Sequence, residues 1–167
     1  MKKTLRIISI LTLISLLLIL WEFSIYRKTF IQVYIPIFVM VIGGFSAFLI
    51  FRKKINYYIN LEHNFYLQAL HGIILFGGVL MYLFMALNFY IPVGKDQILN
   101  LKVIEIGKLS TRRRSCEKPY AIVDYKGFEK QLIFPCYTDL QNSKSIKVSM
   151  RKGMLGFLII DEMELIH

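Results

Sequence analysis

Three apolar runs of membrane length fill the first 94 residues and constrain the fold more than any other feature of the chain. They cover residues 7–26, 29–51 and 65–91. A helix needs about 20 predominantly apolar residues to cross a hydrocarbon core, and one histidine, His71, does not outweigh the apolar residues around it. The sequence therefore predicts three transmembrane helices.

Composition divides the chain at the same place. The 167 residues are 56% hydrophobic and carry a net charge of +10. Residues 1–94 contain two acidic and eight basic side chains, whereas residues 95–167 contain nine and thirteen. Such a change indicates two environments within one chain. We expect an α+β membrane protein, with a three-span region at 1–94 and a C-terminal β domain at 95–167.

The apolar pattern of the C-terminal segment has a period of two, as in half-exposed strands. The alternation is clean at residues 146–151, and its phase slips between Val103 and Ile104, as a β-bulge would cause. We expect the run 154–160 to be the most buried strand, entered through a turn at 152–153. About five strands joined by short turns predict a compact antiparallel sheet or small barrel.

The two cysteines, Cys116 and Cys136, lie on either side of a predicted β-hairpin. A three-residue loop would pair Asp124 with Phe128 and bring the cysteines opposite each other. A two-residue loop would offset them and would need Lys126 at positive φ, which is unfavourable. We therefore predict a disulfide, and two reduced thiols at strand ends are the alternative.

The distribution of basic residues favours a cytoplasmic N-terminus. Segments 2–6 and 52–54 carry six basic residues on the N-terminal side, against five on the other side. The start of the chain resembles a secretory signal, but residues 18–22 offer no small-residue cleavage site. We expect a multi-pass protein of a bacterial cytoplasmic (inner) membrane with an extracytoplasmic β domain, which agrees with a disulfide.

Ser46, Gln68 and His71 are polar residues within the predicted spans. A serine beside a histidine is what an intramembrane hydrolase needs, because the imidazole must take the hydroxyl proton. Residues 44–46 resemble the Gly-x-Ser nucleophile motif of rhomboid proteases, which implies Ser46 as nucleophile. The alternative is that these polar side chains join helices by hydrogen bonds.

Arg112, Arg113 and Arg114 form the sharpest charge feature, in the loop before Cys116. Such a cluster can bind anionic lipid headgroups, an anionic polymer or an acidic protein, and a solvated loop is the alternative. The strands lack the regularly interleaved aromatic and basic residues of nucleic-acid surfaces. No metal, phosphate-loop or dinucleotide motif appears, so we expect no metal site and no cofactor.

These features favour a non-enzymatic membrane protein that displays its β domain as an accessory subunit or a membrane-tethered interaction module. Its expected partners are the lipid bilayer and a membrane or envelope protein. The order of its parts is similar to that of short proteins of the NfeD type, in which a few spans precede a small barrel. Two alternatives are a helical scaffold subunit, suggested by Gly43, Gly77 and Gly78, and an intramembrane serine hydrolase using Ser46 and His71.

Overall fold

The predicted class is confirmed: three long apolar helices precede a small antiparallel β domain. A computed structural model describes residues 2–59, 65–109, 116–140 and 143–166. The chain divides into two compact units, a helical unit (residues 1–26 and 31–91) and a β unit (residues 27–30 and 92–167). The β unit therefore includes the last residue of the first span and three residues of the linker that follows it, which the sequence did not indicate.

Within its described residues, the helical unit contains four α-helices and one π-helical turn. The α-helices are α1 (Lys2–Arg27), α2 (Tyr34–Ile59), α3 (Phe65–Gly72) and α4 (Gly78–Tyr90). A π-helical turn, Ile73–Gly77, joins α3 and α4 into one continuous helix. Three stretches are long and apolar enough to cross a membrane, namely Arg6–Arg27, Tyr34–Lys53 and Phe65–Tyr90.

Glycines let the backbones of the second and third spans approach closely. A side chain on Gly77 would overlap the carbonyl oxygen of Met40, and one on Gly44 would overlap the backbone of Ile73. Small residues permit this kind of close helix packing in membranes. Because both obstacles are backbone atoms, no rotamer change can remove them.

We expect Gly77→Ala to destabilise the helical unit and Gly43→Ala to leave it nearly unchanged. The methyl group at Gly77 would meet the Met40 carbonyl, and overpacking of this kind costs about 1–3 kcal/mol. At Gly43 it would lie 2.8 Å from Cδ1 of Leu80, a flexible side-chain end that can rotate away. Thermal unfolding in detergent, followed by circular dichroism, measures the difference, and equal stabilities would contradict the close approach.

Two further glycines also pack inside this unit. A side chain on Gly72 would overlap the ring of Phe48, and one on Gly78 would overlap the hydroxyl of Ser15. Gly77 and Gly78, which suggested a scaffold surface for a larger complex, thus serve contacts within the chain itself.

The β unit is a six-stranded antiparallel sheet with the order β1-β6-β5-β2-β3-β4. The strands are β1 (Thr29–Phe30), β2 (Gln97–Leu109), β3 (Lys118–Tyr125), β4 (Phe128–Ile133), β5 (Ser145–Lys152) and β6 (Leu158–Ile166). The first half of β2 pairs with β5 and the second half with β3. The register shifts between Val103 and Glu105, where the phase slip predicted a bulge. A bulge bends a strand and increases its twist, so the sheet curls towards a barrel.

One hydrophobic core fills the curled sheet. Ile146, Val148 and Met150 of β5 are fully buried, as their alternation predicted. They belong to the same cluster as Val123 of β3 and Leu132 of β4. The inner faces of both halves of the sheet therefore share one core.

The expectation of a buried strand over residues 154–160 is wrong for its first half. β6 begins only at Leu158, because the chain must reverse direction after β5 and residues 153–157 leave the ladder to do so. Met154 and Leu155 at the tip of this loop are 53% and 39% exposed. A continuous apolar run here contains an exposed turn as well as a strand.

Strand β1 lies in the linker between the first two spans. Thr29 pairs with Ile159, and Phe30 pairs with Leu158. The second span, predicted to begin at Thr29, therefore begins at Tyr34. The two residues in question complete the sheet instead of entering the membrane.

Phe30 joins the first strand of the sheet order to the last. Its side chain is 6% exposed in the β core. Its ring centroid lies 5.5 Å from that of Tyr125 and 6.4 Å from that of Phe128. Both contacts are edge-to-face, an arrangement that aromatic pairs prefer. Because these partners flank the β3–β4 turn, the sheet nearly closes on itself at Phe30.

The turn of the β3–β4 hairpin has two residues and not the predicted three, since Tyr125 pairs with Phe128. Lys126 and Gly127 both have positive φ, 55° and 77°, as a type I′ turn requires. The Gly127 N–H donates to Oδ1 of Asp124 at 2.9 Å. The match between a type I′ turn and the twist of the strands outweighs the strain that positive φ causes at Lys126.

Candidate functional site

A cleft of about 570 Å³ lies in the β domain beside the Cys116–Cys136 disulfide. Ligand pockets in proteins typically have volumes of about 300–1,000 Å³. The cleft is lined by Ile106, Gly107, Lys108, Cys116, Glu117, Pro119, Tyr137, Thr138, Asp139 and Leu140. This lining combines apolar, polar and charged side chains.

The predicted disulfide is present and forms part of the cleft wall. The Cα atoms of Cys116 and Cys136 are 5.9 Å apart, a normal separation for bonded cysteines. Both residues lie just beyond the paired strands, since β3 begins at Lys118 and β4 ends at Ile133. The hairpin register therefore no longer dictates their spacing, and the bond holds the two chain segments together where the ladder stops.

Gly107 and the pair Lys108–Glu117 shape the β2 side of the cleft. Gly107 is opposite Tyr120 in the ladder, and a side chain on Gly107 would overlap the Tyr120 ring. Lys108 Nζ lies 3.6 Å from Glu117 Oε2, with both side chains about two-thirds exposed. Exposed ion pairs of this kind contribute little stability, so both charges can rearrange around a ligand.

Tyr137 is the most unusual residue of the cleft. Its φ is +70°, which strains an aromatic residue by about 1–3 kcal/mol, and its side chain is 94% exposed. The disulfide holds Cys136 on one side. On the other side, the Thr138 hydroxyl donates to the carbonyl oxygen of Pro135 at 2.8 Å. The surrounding covalent and hydrogen bonds thus maintain a strained, exposed tyrosine.

Along the chain, β2 lies between the end of the third span and the cleft residues Gly107 and Lys108. The strand begins at Gln97, seven residues after α4 ends at Tyr90, and Gly107 near its other end lines the cleft. Ten residues of strand correspond to about 33 Å. The cleft lies at the end of β2 that is further along the chain from the membrane.

In the helical unit, His71 contacts Thr12 and is not brought together with Ser46. The Thr12 hydroxyl donates to the carbonyl oxygen of Ile8 at 2.9 Å, and its Oγ1 lies 3.4 Å from Nε2 of His71. Ser46 is exposed on α2. The side-chain contact that Nε2 of His71 makes is thus with Thr12 and not with Ser46.

Further buried polar groups lie on the first and third spans. Ser15 of α1 donates to the carbonyl oxygen of Ile74 at 2.6 Å, within the π-helical turn. The same carbonyl accepts the Gly78 N–H. Gln68 and Asn88 are buried on this helix. The Ser15 contact joins two spans, as interhelical hydrogen bonds do in membranes.

Comparison with known proteins identifies no relative. No family model, curated protein or solved structure matches this chain. Its function must therefore be inferred from its own residues.

Arg112, Arg113 and Arg114 lie outside the described residues. Their binding to anionic groups stays a prediction. They belong to the segment that links Leu109, the last residue of β2, to Cys116 in the cleft wall.

Two residues with unusual surroundings were missed by sequence reasoning. Tyr137 gives no signal in the sequence beyond its position next to Cys136. Glu22 is 6% exposed within the first span. The sequence feature that could have identified it is a carboxylate within an otherwise apolar run. Among the described residues, no group of three His, Cys, Asp or Glu side chains could hold a metal ion.

Proposed function

We propose that this protein is a membrane-anchored interaction module that binds a protein partner in the cleft beside the disulfide. The observation that carries the proposal is Tyr137, whose strained backbone and 94% exposed ring add nothing to the core of its own domain. Residues held in strained conformations cluster at functional sites. Tyrosine is also a typical interface anchor, because its ring offers a large contact area at little cost in conformational entropy.

The cleft lining suits a peptide segment of such a partner. Ile106 and Leu140 supply apolar surface, while Lys108 and Glu117 supply charges of both signs. Protein interfaces combine an apolar centre with a polar rim in this way. The disulfide keeps the walls in place, which reduces the ordering cost of binding.

We assign the cleft to the extracytoplasmic side of a bacterial inner membrane. Disulfides persist in oxidising compartments, and the basic clusters at 2–6 and 52–54 favour a cytoplasmic N-terminus. Three spans then put the C-terminal domain outside. The linker that carries Thr29 and Phe30 lies on the same side under this topology, as the pairing of β1 with β6 requires.

In this proposal the chain is an accessory subunit and not an enzyme. The exposure of Ser46 and the Thr12 contact of His71 argue against a serine nucleophile with a histidine base. The glycines of the third span pack against the other two spans, so the β domain offers the surface for a partner.

Tyr137→Asn should stabilise the β domain and abolish partner binding. Asparagine tolerates positive φ, so relief of strain should raise the free energy of unfolding by about 1 kcal/mol. Loss of the ring removes the anchor. Stability is measured by thermal unfolding of the full chain. Binding is measured in intact membranes with a photo-crosslinking amino acid at Lys108 in the cleft, compared with one at Ile98, which is exposed on the same strand outside it.

Lys126→Asn is the matched control. Lys126 is the other non-glycine residue with positive φ in the described ranges, and it lies in the β3–β4 turn. It should show a similar gain in stability with an unchanged crosslink from Lys108. A crosslink that survives Tyr137→Asn, or that forms equally from Ile98, would refute the cleft as the binding site.

A further inference from the structure

We propose that the β5–β6 loop, residues 153–157, inserts into the lipid interface of the same membrane that holds the spans. Its tip exposes the adjacent apolar side chains of Met154 and Leu155, by 53% and 39%. This inference rests on strand pairing and on the spans, and it is independent of the cleft and its partner.

Strand pairing holds the loop next to residues that directly follow the third span in the chain. β2 leads away from Tyr90, the end of α4, and β5 runs antiparallel to β2, with Met150 opposite Gln97. The end of β5 therefore lies beside the start of β2, the part of the strand that is nearest to α4 along the chain. Beyond the ladder, Gly153 bridges to Pro92, which is two residues, or at most about 7 Å of chain, from Tyr90.

The other side of the loop is paired with a segment that directly follows the first span in the chain. Leu158, the first residue of β6, pairs with Phe30. Phe30 lies three residues after Arg27, where α1 ends. Both strands that flank the loop are thus paired with segments that leave the bilayer within a few residues.

Exposed basic side chains accompany the apolar tip. Lys152 directly precedes the loop, and Lys28 and Lys95 lie in the two segments that connect the spans to the sheet. Apolar side chains that enter the acyl boundary, next to basic side chains that bind lipid phosphates, are typical of interfacial membrane contacts. Because the bilayer is the surface nearest to this loop along the chain, lipid is the occupant that the arrangement favours.

A single introduced tryptophan tests the proposal in the full chain. The chain has one tryptophan, Trp21, so Trp21→Phe gives a background without it. In nanodiscs of lipids brominated at different acyl depths, the tryptophan fluorescence of Met154→Trp should be quenched. The dependence on bromine position should place the ring about 5–10 Å into the headgroup and acyl boundary. Tyr137→Trp, in the cleft, is the matched control and should not be quenched. Formation of the Cys116–Cys136 disulfide shows that a variant has folded. If Met154→Trp fails this criterion, Leu155→Trp is the second reporter.

Three results would overturn the proposal. A red-shifted, unquenched emission from Met154→Trp and Leu155→Trp would mean that the loop lies in water. A blue-shifted emission without quenching would mean that a protein surface or a second copy covers the tip. Equal quenching of Tyr137→Trp would mean that lipid contact is not confined to this loop.

Discussion

Phe30→Ala should destabilise the β domain by about 3–5 kcal/mol, although the residue lies in the linker between the first two spans. The ring is 6% exposed and packs edge-to-face on Tyr125 and Phe128. Its removal leaves a cavity where the curled sheet nearly closes. For a domain of this size the loss is comparable to the whole free energy of unfolding.

Phe38→Ala is the matched control for this change. Phe38 is 62% exposed on α2 in the helical unit, so its truncation should leave the β domain intact. Hydrogen exchange of the β5 and β6 amides in the full chain measures the effect. Similar exchange rates in the two variants would show that β1 is not part of the domain core.

Loss of the disulfide should lower the stability of the β domain by about 3 kcal/mol in the chain-entropy model. Cys116 and Cys136 are separated by 20 positions, and the bond restricts the unfolded chain over that length. The double variant Cys116→Ser/Cys136→Ser should therefore unfold at a lower urea concentration. It should also lose the crosslink from Lys108, because Tyr137 is then released on its Cys136 side.

Reduction provides the control for the double variant. A reductant should shift the unfolding midpoint of the natural sequence to that of the variant and leave the variant unchanged. If the natural sequence has the same midpoint with and without reductant while mass analysis shows the bond broken, the disulfide does not stabilise the domain.

The parts of the fold that could be predicted are those with local signals. Uncharged runs mark the spans, and a period of two marks the strands, because burial acts on neighbouring residues in a regular way. The slip between Val103 and Ile104 marked the bulge for the same reason. The disulfide followed from an approximate hairpin register, and it tolerated the error of one residue because both cysteines lie past the ladder.

The parts that were missed depend on distant contacts. Thr29 and Phe30 are too few residues to show a period, and they adjoin an apolar run, so only their pairing with β6 reveals them as a strand. Residues 154–157 are as apolar as a buried strand, and their exposure follows from where β5 ends. For Lys126, the twist of the finished hairpin outweighed the local preference.

The candidate site also combines features that local sequence signals predict with features that depend on distant contacts. Residue counts place Ser46 and His71 within the spans, but the direction in which each side chain points depends on how the helices are rotated in the bundle. The φ of Tyr137 results from ring closure at Cys136 and from the turn at Pro135. The residue types around Tyr137 do not by themselves predict its φ angle.

Strand β1 also has a consequence for biogenesis. Thr29 leaves the ribosome about 130 residues before Ile159, its partner in the sheet, and the second and third spans are synthesised in between. Contacts this distant form late in folding, so the β domain can be finished only after the membrane segments have been inserted. Until then the edge of β6 is open to pairing with another nascent chain, which makes insertion of the helices the step that protects the domain from misassembly.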